Sequence, residues 1–124
     1  MRKIGNPTWT RNELILALDL YLSHRDNLPG KASDEIRGLS KLLRNMAEKF
    51  YIDDNTTYRN TNGVYMKLMN FKALDPDYTK NGKVGLTRVG KHDKQVWAEF
   101  WNASKKCAIA AQEIREAINA KTPI

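Results

Sequence analysis

The chain has 124 residues, a formal net charge of +7 and 41% hydrophobic residues, enough for one packed core and too few for two comfortable domains. A single cysteine, Cys107, excludes an internal disulfide and a Cys-based zinc site, and fits a reducing compartment. No apolar run reaches the roughly 18 residues of a membrane-spanning helix, and Met1 to Trp9 lacks a signal-peptide core, so the expected setting is cytoplasmic.

Thr10-Arg11-Asn12-Glu13 has the spacing of a capping box and opens a run, Leu14 to Leu22, that is apolar around almost its whole circumference. This predicts a central helix from Thr10, with Asp19 as its conspicuous polar exception. Ser23 to Asn27 and Pro29-Gly30 end it. Ser33 or Asp34 can cap a second helix, with Ile36, Leu39, Leu42, Leu43 and Met46 on one side and Arg37, Lys41 and Arg44 on the other. Ile52 to Thr57 reads as a loop. A third helix fits Asn62 to about Leu74, its stripe Val64, Leu68 and Phe71, with Pro76 closing it from beyond and Lys67 and Asn70 opposite the stripe.

Asp75 to Lys91, with Pro76, Gly82, Gly85 and Gly90, reads as a long loop holding a short extended piece near Val84 to Val89. Val96, Trp97, Phe100 and Trp101 mark a fourth helix. Ser104 is placed to start a fifth, through Ile109, Ile114 and Ile118, to about residue 120. The expected fold is therefore an all-α, compact bundle of four to five helices with one long Gly/Pro-containing loop, forming a single domain over 1–124.

The residue inventory argues against catalysis. His24 and His92 have no metal-binding spacing, no Cys-x-x-Cys exists, and neither Asp-x-Lys nor Glu-x-Lys occurs, which removes the common metal-nuclease signatures. Asp75-Pro76-Asp77 could hold a hard cation but fits turn chemistry better. Cys107 sits among alanines and reads as core, and Gly90-Lys91 lacks the context of a phosphate loop. His92 beside Asp93 is a weak acid–base pair, with helix capping the better role for Asp93. No catalytic residue, metal or cofactor is expected.

Charge points to polyanionic partners instead. From Arg59 to Lys94 there are eight basic and three acidic residues, so this stretch supplies five of the seven net charges. Within it, Tyr58 to Phe71 is a basic, polar entry feeding a helix, whose open amides suit phosphate while Arg and Asn side chains suit base edges. Candidate DNA contacts are Arg59, Asn60, Asn62, Lys67, Asn70, Arg88 and Lys91. Equally open are structural roles: Asn60 or Asn62 as a helix cap, Asn62-Gly63 as a turn, and Arg59 as ion-pair partner of Asp19.

Several blocks in order resemble one family. Trp9-Thr10-x-x-Glu13-Leu14-Ile15-Leu16-Ala17-Leu18-Asp19-Leu20-Tyr21, Arg59-Asn60-x-Asn62-Gly63-Val64-Tyr65-Met66-Lys67-Leu68-Met69-Asn70-Phe71 with Leu74-Asp75-Pro76, Gly85-Leu86-Thr87-Arg88-x-Gly90-Lys91 and the block from Val96-Trp97, which departs from the pattern at Ala98 in Ala98-Glu99-Phe100, resemble the N-terminal domain of bacterial McrA-like HNH endonucleases, which act in modification-dependent restriction. The likeness runs from about Trp9 to Phe100. It implies a non-catalytic head domain, attached in that family to modules that recognise modified DNA and to a His-Asn-His nuclease, here expected in cis or in trans. Double-stranded DNA, modified or not, is then the leading partner. A protein-interaction or oligomerisation domain of such a system is the alternative, through an apolar patch involving Trp97 and Trp101. A self-sufficient enzyme comes third.

Overall fold

The computed structural model describes residues 8–48, 57–80 and 89–120; of residues 47 and 48 only the helical backbone is described. Among them the protein is all-α, with α1 Arg11–Ser23, α2 Asp34–Glu48, α3 Thr61–Leu74, α4 Pro76–Thr79, α5 Lys91–Phe100 and α6 Ser104–Ala120. No described helix is long and apolar enough to cross a membrane. The extended piece expected near Val84 to Val89 and most of the loop expected over Ile52 to Thr57 lie outside the described residues.

The core is built around α1, which packs against α2, α3, α5 and α6. Its all-round apolarity is the reason: Leu14, Ile15, Leu16, Ala17, Leu18 and Tyr21 are all buried, and a helix with no polar face must be covered on every side. The expected capping box is present. Thr10 Oγ1 accepts from the Glu13 amide at 3.2 Å and Glu13 Oε1 accepts from the Thr10 amide at 2.9 Å. Against α1 lie Ile36, Leu39 and Leu43 of α2, Val64, Leu68 and Phe71 of α3, and Val96, Trp97 and Phe100 of α5. Ser33 Oγ accepts from the Ile36 amide at the start of α2.

Two expectations are corrected here, on Pro76 and on the tryptophans. Pro76 does not simply terminate α3: Asp75 breaks the helix and Pro76, whose fixed φ suits a first helical position, begins the single turn α4. On α6 the inward residues are Cys107, as its place among alanines predicts, and Ala111, small enough to let α6 approach α1 closely, whereas Ile109 is 61% exposed and Ile114 is half-buried. Trp97 and Trp101 do not form an exposed patch. Trp97 is buried beside Tyr21 and Phe71, with ring centroids 5.8 and 6.3 Å away, and half-buried Trp101 stacks on it at 6.0 Å.

Candidate nucleic-acid interface

The residues singled out for DNA contact divide into two groups, internal and external. Arg59 is internal. Its side chain is 3% exposed, and Nε and Nη2 donate to the two carboxylate oxygens of Glu13 at 2.9 Å each, a planar fork against a planar carboxylate. The guanidinium lies between two rings, 4.9 Å from the centroid of Trp9 and 4.4 Å from that of Tyr58. Its backbone carbonyl accepts from Ser40 Oγ at 2.6 Å, and Arg44 of α2 donates to the Tyr58 carbonyl at 2.5 Å. Arg59 also has φ of 46°, in the left-handed region, a conformation that costs a non-glycine residue about 1–2 kcal/mol and is held here by all these contacts. Burial pushes the Tyr58 hydroxyl above its ordinary pKa, with the nearby Glu13 carboxylate adding to the effect.

The ion pair expected between Arg59 and Asp19 is therefore replaced. Arg59 pairs with Glu13, and Asp19 is 3.5 Å from Arg115 of α6. Burial raises the Asp19 pKa, and Arg115 only partly opposes this.

Lys67 and Asn70 are also turned inward, not opposite the apolar stripe of α3 but beside it, toward α5. Lys67 Nζ donates to both oxygens of Asp93 at 3.1 and 3.0 Å, and Asn70 Nδ2 donates to one of them at 3.0 Å. Lys67 Nζ also sits 5.1 Å from the Trp9 ring centroid, so Trp9 bridges the two ion pairs. Asp93 is 4% exposed and lies inside the first turn of α5 rather than at its N-cap, which is Gly90. Asn60 is the N-cap of α3, its Oδ1 accepting from the Gly63 amide at 2.7 Å, as its structural alternative expected.

Asn62 and Lys91 are the two candidates at the surface, and Arg88 lies outside the described residues. Lys31 and Lys94 are also exposed and Lys72 is half-buried; Lys72 and Lys94 belong to the basic stretch noted in the sequence, but none of the three was singled out as a contact. Among the described residues, none of these three nor Lys91 has a carboxylate within ion-pairing distance. The ring of Tyr65 lies 5.9 Å from Lys31 Nζ and that of Tyr78 lies 4.7 Å from Lys72 Nζ.

Chemistry elsewhere is structural. Asp75, 1% exposed, accepts from Tyr21 Oη at 2.6 Å, from Arg25 Nε and Nη2 at 2.7 and 2.6 Å, and from the Asp77 amide at 2.9 Å. Burial acts to raise its pKa, but the bonds from Arg25, Tyr21 and the Asp77 amide together bring it below the ordinary value. The carboxylate considered for a hard cation is thus occupied by a guanidinium, and no cluster of three or more His, Cys, Asp or Glu is assembled among the described residues. Burial pushes the Cys107 thiol up to about 12, the reverse of what a nucleophilic cysteine requires. Comparison with protein-family models, with curated proteins and with solved structures found no match.

Proposed function

We propose that this chain is a non-catalytic DNA-binding module of an HNH-type, modification-dependent restriction system, and that its DNA contact runs through surface lysines rather than through Arg59 and Lys67. The observation that carries this reading is the partition of charge. Arg59, Lys67 and Arg25 are bound to buried carboxylates, whereas Lys31, Lys72, Lys91 and Lys94 have no acidic partner among the described residues. Unpaired surface cations are free to replace the counterions condensed on a phosphate backbone, and that exchange supplies most of non-specific DNA affinity. The link to restriction rests on the resemblance of the Trp9 to Phe100 blocks.

A charge-reversal variant, Lys91→Glu with Lys94→Glu, is expected to lose duplex binding by fluorescence anisotropy in low salt while keeping the helical circular dichroism of the parent. Both side chains are exposed, so their replacement disturbs no packing. Unchanged affinity would remove α5 from the interface.

A further inference from the structure

The outward face of α3 differs from every other edge of this surface. Val64, Leu68 and Phe71 face the core. Lys67 and Asn70 lean toward α5 and hold Asp93, while Tyr65 lies to the other side, near Lys31. At 3.6 residues per turn the residues left pointing away from the α1 core are exposed Asn62 and Met66 and half-buried Ala73, while Met69 on the flank packs against the core. None is charged, Asn62 is exposed and Met66 is 40% exposed. Lys31, against the Tyr65 ring, and Lys72, against Tyr78, lie on one side of α3, and α5, which carries exposed Lys91 and Lys94, packs on the other. The exposed carboxylate nearest in sequence, Asp77, is held by Arg25 at 3.4 Å and by Lys80 at 3.8 Å.

We infer that α3 is the reading helix of the DNA interface. It lies in the major groove, with the neutral stripe on the base edges and the two pairs of lysines on the phosphate backbones that wall the groove. This rests on the DNA-binding reading above and adds the element that meets the bases. A helix with its side chains is about 10–12 Å across, and the major groove is about 12 Å wide. The floor of that groove carries neutral donors, acceptors and pyrimidine methyl groups, and its rims carry negative charge; the neutral centre and cationic margins of this face match that order. Asn62 can pair with an adenine edge through its amide. Met66 and Ala73 present apolar groups to a methyl on thymine or on 5-methylcytosine. The Lys67–Asp93–Asn70 contact then has a mechanical role, fixing α5 beside α3 so that helix and lysines meet the duplex together.

The test uses the whole chain with methyl-labelled methionine, titrated with a short mixed-sequence duplex, unmodified and cytosine-methylated, and followed by both nuclear magnetic resonance and anisotropy. The Met66 methyl is assigned with Met66→Leu. It is expected to shift on binding. Asn62→Ala with Met66→Ala should weaken binding roughly tenfold without altering its salt dependence, because no phosphate contact is removed. Lys91→Gln with Lys94→Gln should instead lower the slope of log affinity on log salt by about two. Salt-dependent binding with an unmoved Met66 methyl and an unaffected Asn62/Met66 variant would overturn the assignment of α3 and leave the DNA-binding reading standing. No binding to any duplex at low salt would overturn both. A Met66 signal that moves with protein concentration, and not with DNA, would assign the stripe to a second copy of the chain and overturn the inference.

Discussion

Arg59→Ala is expected to cost about 3–5 kcal/mol of folding stability, the range for removing one partner of a buried ion pair. The reason is what remains. Glu13 has 6% of its side chain exposed and would lose both guanidinium bonds, keeping those from the Thr10 amide and the Tyr58 hydroxyl, in a site lined by Trp9 and Tyr58. Truncation also removes the guanidinium from between two aromatic rings, where a desolvated cation contributes on the order of 2 kcal/mol. Relief of the left-handed backbone does not offset these losses, since alanine has the same steric objection to φ of 46°. Urea unfolding of the parent, Arg59→Ala, Glu13→Gln and the double variant would measure this. The double variant is expected to be more stable than the sum of the two single losses implies, because neither charge is then left buried alone. Additive losses would mean that the pair is not coupled. A DNA-binding defect of Arg59→Ala therefore reports unfolding unless stability is measured beside it.

Asp75→Ala should cost about 3 kcal/mol, combining an orphaned Tyr21 hydroxyl at about 1–3 kcal/mol with the loss of the α4 cap at about 1 kcal/mol. Arg25 is 25% exposed on its side chain and can turn to solvent, so the loss stays at the low end of the range for a broken buried pair. The pH dependence follows from the same contacts. The folded pKa of Asp75 is below its ordinary value of 3.8, so its contribution to stability is fully present above about that pH and fades as pH falls through the folded value. Denaturant midpoints recorded from neutral pH into the acid range should therefore fall more steeply for the parent than for Asp75→Asn. Parallel curves would show that Asp75 does not govern the acid transition.

Local signals carried most of the helices into view. Thr10 and Glu13 are three residues apart, Val64, Leu68 and Phe71 are one turn apart, and such spacings are set within a single helix. Partners across the fold were hidden. Glu13 announces itself as half of a capping box, yet its second role is with Arg59, 46 positions away, and sequence offers no reason to prefer that partner to Asp19 for Arg59. Lys67 and Asn70, three residues apart, fit a duplex-facing edge and the grip on Asp93 equally well, because both uses need two donors on one helix face. The side of α3 that α5 covers decided between them. Pro76 likewise reads both as the end of one helix and as the first position of the next, and only the Asp75 side chain turning back to the Asp77 amide selects the latter. The all-α class was legible because it follows from periodicity. Which lysines stay unpaired was not, because it depends on which carboxylates packing commits to Arg25, Arg59 and Lys67.

The most direct measurement is the affinity of the parent protein for a short duplex by fluorescence anisotropy from about 50 to 200 mM salt, where about four lysine–phosphate contacts predict a slope near −3.6 and a loss of roughly a hundredfold. Binding of that steepness is the predicted result. Affinity independent of salt, or no binding even at the lowest salt, would contradict the account and leave the unpaired lysines as ordinary solvated charge.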